Sequence, residues 1–105
     1  IAKAFPETTI LMVHMGMTDW DMNQAVVEVA ARNPNMILIG SATDAKAVLH
    51  AIDMLGADRV CFGSDAPFRR PHVVRATYEA ALRYEISKED RALVMGGNIA
   101  RLFEL

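Results

Sequence analysis

Three short apolar runs constrain this chain more than any other feature: TILMVH at residues 9–14, MILIGS at 36–41 and RVCFGS at 59–64. Each is too short for a helix, and none alternates cleanly between apolar and polar residues. Strands buried on both faces of a parallel sheet read this way. Parallel neighbours need long crossovers, usually helical. The intervening segments have helical spacing, so the chain reads as repeated strand-helix units with right-handed connections, followed by further helices.

After the first run, Asp21 and Gln24 have the spacing of a capping box. Met22, Val26, Val29 and Ala30 then mark an apolar face that ends at Asn33-Pro34. After the second run, Thr43 is placed to cap a helix over 44–55. Ala45, Val48, Leu49, Ile52 and Leu55 recur there at helical spacing, and Gly56 supplies the stop. After the third run, APFRRP interrupts regular structure, and Pro71 fits the first turn of a helix over 72–85. Ser87 and Asp90 predict another capping box, Gly96-Gly97 an end, and NIARLFEL a short terminal helix capped by Asn98.

Two architectures fit this order: a three-stranded piece of an open sheet, or part of an eight-stranded barrel. Periodicity alone does not choose between them. Three parallel strands leave two edges exposed, and strands this apolar require neighbours. The opening IAKAF before Pro6 reads as the last turn of a helix, so the chain is expected to be part of a longer protein. No internal repeat and no linker divides it.

Composition excludes several classes. With 105 residues, 52% of them hydrophobic, the chain is not of the disordered class. The net charge of -2 and the lack of a basic stripe with interleaved aromatics argue against nucleic acid as a partner. No apolar run approaches the roughly 18 residues of a membrane span. The single Cys61 cannot form an internal disulfide, which points to a cytoplasmic setting. Within its strand it reads as a small buried hydrophobe.

Two polar residues stand out. His14 ends the first run and Asp65 follows the third, so both leave the sheet at its C-terminal edge. In parallel α/β folds that edge carries ligands and chemistry. Structural alternatives remain open, since His14 can bond a loop carbonyl and Asp65 can cap the turn SDAP. The chemical reading is that imidazole nitrogen and carboxylate oxygen suit Zn²⁺ and similar divalent ions. An aspartate held against the ion can take the proton of an activated water. Two ligands do not complete such a site, so the others are expected outside these residues. His50, within a helix, reads as a packing or surface residue, and His72 lies close in sequence to the Asp65 loop. Ser64 shapes the turn and has no neighbouring histidine base.

The segments HMGM, FGSDAPF and GGNIARLF, together with NPNMILIGSA and AIDMLGADRVCFGSD, carry a resemblance. The chain resembles the C-terminal part of the amidohydrolase superfamily, on the amidohydrolase-related branch that includes aminocarboxymuconate-semialdehyde decarboxylase. The resemblance covers essentially the whole chain. It implies an α/β fold, the C-terminal portion of a (β/α)8 TIM barrel, with the three runs as barrel strands six to eight. It implies that Asp65 is both metal ligand and proton acceptor. It also implies that His14 is catalytic beside the metal. A histidine pair after barrel strand one and a histidine after strand five would lie in an N-terminal portion missing from this chain. One divalent ion, zinc foremost, a small-molecule substrate and a homo-oligomer are the associated expectations. Gly16 is followed by Met17, where the family often has a second glycine. Met17 and Trp20 are therefore candidates to cover a substrate pocket, although Trp20 can equally pack on a neighbouring helix. Arg69 and Arg70 can meet a substrate carboxylate or form a solvated pair.

These readings yield competing functions. The first is a metal-dependent hydrolase acting on a small carbonyl-containing or carboxylated substrate, and a non-oxidative decarboxylase of the same superfamily is its alternative. A non-catalytic α/β binding module is the contrasting class. A phosphate-binding open sheet is disfavoured by the lack of GxGxxG and GxxxxGK[ST] patterns. In isolation the 105-residue segment is expected to be inactive.

Overall fold

The computed structural model describes residues 1–105. Strands β1 (Ile10–Val13), β2 (Met36–Ile39) and β3 (Val60–Cys61) form one parallel sheet in the order β1-β2-β3. Helices α1 (Trp20–Ala31) and α2 (Ala45–Leu55) connect them, and α3 (Pro71–Leu82) follows β3. Two short helices, α4 (Lys88–Ala92) and α5 (Asn98–Leu102), are joined by a wide helical turn at Leu93–Gly97. The architecture is consistent with part of a larger (β/α)8-type barrel and is not itself a closed barrel. No helix is long and apolar enough to cross a membrane.

The register places Ile10 opposite Met36, Val13 opposite Ile39 and Ile39 opposite Cys61. β2 is the central strand, and its Met36, Ile37 and Leu38 are buried. β1 is an edge strand, with Leu11 and Val13 exposed. Leu38 and Val60 meet Val27 and Ala30 of α1, Val48, Ala51 and Ile52 of α2, and Tyr78 and Leu82 of α3 in one core cluster. The strands are shorter than the apolar runs. The first ends before His14, whose backbone turns to φ +68° and leaves the ladder. Gly40 and Ser41 of the second run, and Phe62, Gly63 and Ser64 of the third, likewise belong to loops at the sheet edge.

The helix starts differ from expectation at three places. α1 begins after Asp19, whose carboxylate accepts from the Met22 N–H at 3.1 Å, so Asp19 and not Asp21 is the cap. Its buried residues are Asn23, Val27 and Ala30, whereas Met22 and Val29 are exposed. Asn23 sets this face by donating from Nδ2 to the Met15 carbonyl at 2.6 Å. α2 begins after Asp44, and Thr43 does not cap it, because its hydroxyl is turned toward β1. Asn98 is not a cap either. Its side chain is buried and donates to the carbonyls of Ala57 at 2.7 Å and Val60 at 2.9 Å. The other signals hold: Gly56 ends α2 at φ +92°, Pro71 opens α3, and the Ser87 hydroxyl accepts from Asp90 N–H at 3.0 Å. The first residues form a single 3-10 turn at Ala2–Ala4.

The N-terminal edge of the sheet is closed by side chains that bond backbone carbonyls. Asn35 Nδ2 donates to Ala2, Phe5 and Thr8. Arg59 donates to Met36, Ala30 and Asn33. These bonds tie the backbone together at that edge.

Candidate active site

The C-terminal edge concentrates unusual backbone. His14 (φ +68°), Met15 (+32°) and Met17 (+55°) follow β1, Ala42 (+56°) follows β2 and Asp65 (+61°) follows β3. These are five of the six non-glycine residues with positive φ, the other being Glu104. Left-handed backbone disfavours L-residues by about 1–2 kcal/mol each, so surrounding bonds must hold these loops. Asn23 is buried and supplies two, to Met15 O at 2.6 Å and Met17 O at 3.3 Å. Thr43, also buried, donates to His14 O at 2.7 Å. The Tyr78 hydroxyl donates to Gly40 O. Gly40 has no room for a side chain under that hydroxyl. At Gly63 an added Cβ would lie 2.7 Å from Ser41 Cβ, so the exits of β2 and β3 are pressed together and Asp65 is carried toward β1.

His14 is oriented through one ring nitrogen. Its Nδ1 lies 3.0 Å from the Ser41 carbonyl oxygen and 3.1 Å from Ser41 Oγ. A carbonyl can only accept, so the bond to Ser41 O is made by the Nδ1-protonated tautomer, while the Ser41 hydroxyl can pair with either. Nε2 then faces Asp65 Oδ1 at 3.9 Å. The loop-carbonyl bond expected as an alternative for His14 is thus present, and it is what aims the other nitrogen.

Asp65 is also left free. The turn is closed by the Ser64 hydroxyl, which accepts from Ala66 N–H at 3.3 Å, and not by the Asp65 carboxylate. The other carboxylate oxygen, Oδ2, stands 3.9 Å from Arg69 Nε. In the neutral tautomer, His14 Nε2 offers a lone pair to a site where Asp65 offers a negative oxygen. Two acceptors facing each other call for a proton or a cation between them.

A divalent ion fits this donor set in part. Two ligands about 2.0–2.1 Å from a tetrahedral ion stand roughly 3.4 Å apart, about half an ångström closer than the 3.9 Å pair here. The Nδ1 bond to Ser41 is the kind of outer contact that orients a metal-bound imidazole. No group of three His, Cys, Asp or Glu residues comes together in the chain, however. It brings two candidate donors together, fewer than the three protein ligands usual in a catalytic metal site.

The remaining candidates spread out. Trp20 faces α2, stacking on His50 with ring centroids 5.2 Å apart, while Lys46 Nζ lies 4.1 Å above its ring. Met17 is exposed in the loop beside His14. His72 and Arg70 are exposed near the start of α3. Cys61 is buried, and burial pushes its thiol up to about 11 against the opposing charge of Arg101. It is therefore not a nucleophile. Burial also pushes the Tyr78 hydroxyl upward, with Arg69 acting the other way, so Tyr78 is a neutral donor. Sequence reasoning missed Asn23, Ser41 and Tyr78, and gave Thr43 a different task. One signal was available: Ser41 and Thr43 follow β2 as His14 and Asp65 follow β1 and β3.

Comparison with known proteins bears on the family and the fold. A family model described as Amidohydrolase matches residues 1–105. No curated protein matches the chain. Among solved structures, an amidohydrolase from Burkholderia multivorans with bound zinc superposes at TM-score 0.82 and 20% identity, over 99% of this chain and 46% of that one. The 5-carboxyvanillate decarboxylase of Sphingomonas paucimobilis superposes at 0.67 and 24% identity, over 98% and 36%. A dihydroxybenzoic acid decarboxylase from Polaromonas sp., with bound manganese and the inhibitor 2-nitroresorcinol, superposes at 0.68 and 22% identity, also over 98% and 36%. These likenesses establish a shared fold. The chain spans less than half the length of each of these structures.

Proposed function

This chain belongs to the amidohydrolase family, and from that premise we propose that it forms barrel strands six to eight of a metal-dependent hydrolase. The substrate is a small molecule with a carbonyl-containing or carboxylated reacting group. The observation that carries this reading is the contact of His14 Nδ1 with Ser41, which leaves Nε2 facing the Asp65 carboxylate at 3.9 Å.

A divalent ion, zinc foremost, would be held by Asp65 with His14 Nε2 beside it, and when bound would supply Lewis acidity and a water made nucleophilic near neutral pH. Asp65 would hold one corner of the ion's site and accept a proton from its water, with the Arg69 guanidinium 3.9 Å from its second oxygen. His14 accepts through Nε2 in its neutral form. Once protonated, it donates from Nε2 to an oxygen gaining negative charge, while the Ser41 carbonyl supports the imidazolium through Nδ1–H. Asn23 and Thr43 hold the His14 loop in its left-handed conformation. Met17, exposed in the loop after β1, forms the rim on that side, whereas Trp20 packs on α2. The remaining ligands come from the N-terminal portion of the parent barrel, and the segment alone is inactive. A cytoplasmic setting, supported by the lone buried Cys61, and a homo-oligomeric parent belong to the same proposal.

A second reading, non-oxidative decarboxylation, is supported by the fold likeness to two decarboxylases along 98% of the chain. In that version protonated His14 delivers its Nε2 proton to the carbon that loses CO₂. Native mass spectrometry of the intact parent protein, with turnover assays on esters, lactones and carboxylated aromatics, tests both. About one divalent ion per chain is expected, with turnover dependent on it. Asp65→Asn should lose most of the ion and nearly all turnover while keeping the fold. Retention of both in that variant would overturn the assignment.

A further inference from the structure

A recess opens beside the His14–Asp65 pair, between the starts of α2 and α3. It encloses about 470 Å³. Ala45, Val73 and Val74 give it an apolar lining, and Thr43, Thr77 and Tyr78 also line it, their hydroxyls donating to backbone carbonyls. Two guanidinium groups, Arg69 and Arg70, stand along it, against one exposed acid, Asp44. This is a local excess of positive charge on a chain whose net charge is -2.

The two arginines are differently engaged. Arg70 enters none of the three charged contacts of the molecule, which are His14–Asp65, Arg69–Asp65 and Arg75–Glu79. Arg69 approaches Asp65 at 3.9 Å through Nε, beyond hydrogen-bonding range, so its donors remain available. Its charge also reaches the Tyr78 hydroxyl at the inner end of the recess. Thr43 joins the two regions, lining the recess while its hydroxyl holds the His14 carbonyl. A planar cation pair over an apolar floor matches an anionic group carried on a small hydrocarbon body.

We propose that this recess seats the anionic group of the substrate, a carboxylate or a phosphate, with Arg70 as its main partner and Arg69 bridging between it and Asp65. That the anion belongs to a substrate rests on the function proposed above, whereas the anion seat stands on its own geometry. A substrate held there by its charged end would extend its reacting group toward Asp65. The class implied is a small anionic molecule whose charge is separate from the bond that is cleaved.

The test is calorimetric titration of the metal-free intact parent protein with inorganic phosphate and with propionate, and a separate titration with zinc. Saturable anion binding is expected. Arg70→Gln should weaken it by roughly tenfold or more, the scale of one lost charge-assisted contact, with zinc affinity unchanged. Val73→Asp keeps both guanidiniums but places a negative charge on the wall, and should weaken anions similarly even if Arg70→Gln disturbs the start of α3. The tighter of the two probes identifies the group the seat accepts. No saturable binding, or unchanged affinity in both variants, would overturn the proposal. Arg70-dependent anion binding without zinc binding would support the seat and remove the metal-based function. Zinc binding without anion binding would remove the seat and leave that function standing.

Discussion

His14 Nε2 and Asp65 Oδ1 face each other at 3.9 Å across the C-terminal edge of the sheet, from loops that follow its two outer strands. The central strand makes this possible, since the Ser41 carbonyl beyond β2 takes the Nδ1 proton of His14. The pair is thus held through a third residue that bonds the imidazole from behind.

That arrangement allows orientation to be separated from chemistry. In His14→Asn the shorter side chain can still place an amide near the Ser41 carbonyl, and Asn tolerates the left-handed backbone at φ +68°. It has nothing where Nε2 stood. Turnover of the intact protein should fall by roughly 10²–10⁴-fold, the usual share of a positioned acid-base group. Stability, read from the denaturation midpoint, should change by less than about 1 kcal/mol. A variant with normal turnover per folded molecule would reduce His14 to a loop anchor.

Thr43 acts on the same pair at one remove. Its hydroxyl donates to His14 O at 2.7 Å and lies 3.2 Å from Ser41 O. Thr43→Val keeps the side chain's shape and removes both bonds. A stability loss of about 1 kcal/mol is expected from one unmet buried carbonyl. Turnover should drop by roughly 10–100-fold, the scale seen when an orienting contact behind a site is lost. Thr43→Ser should recover most of it. Equal loss in Val and Ser variants would show that the methyl group, not the hydroxyl, matters.

Thr43 also marks the boundary of what the sequence reveals. The three strands are legible because a short, unbroken apolar run flanked by helical segments is stable in few settings besides a buried parallel strand. His14 and Asp65 are legible because each interrupts such a run at the same end. The contacts that aim them are not. Ser41 to His14 and Tyr78 to Gly40 join residues far apart in sequence and leave no periodic trace. The cap of α1 is ambiguous in sequence because Asp19 and Asp21 both suit that role, and only the folded loop selects Asp19. Its buried face departs from the apolar pattern because Asn23, a polar residue, is drawn inward by the carbonyls of the strained loop.

Stability should fall on the alkaline side. Burial raises the Cys61 thiol from about 9 to about 11, and raises the Tyr78 hydroxyl as well. The folded chain then binds these protons more tightly than the unfolded chain. The contribution from Cys61 is complete below about pH 9 and is lost as the pH rises toward about 11. Urea midpoints measured across that window should decline. Cys61→Ala starts from lower stability because it leaves a cavity, yet its decline should be shallower. A parallel decline in parent and variant would remove Cys61 as a source.

The opposite edge of the sheet supplies the contrasting case. Arg59 donates to Met36 O and Ala30 O, each at 2.8 Å, and to Asn33 O at 3.0 Å, fastening the end of α1 to the start of β2. A lysine keeps the charge but lacks the planar fork that meets carbonyls from two directions. Arg59→Lys should cost about 2 kcal/mol, read from the denaturation midpoint. Turnover per folded molecule should stay within about twofold, because the geometry of the site depends on contacts at the other edge. The comparison with Thr43→Val is the informative one: similar buried carbonyls lose donors in both, but only one set lies behind His14. Should Arg59→Lys depress turnover as much as Thr43→Val, the division of the sheet into a fastening edge and a reacting edge would not hold.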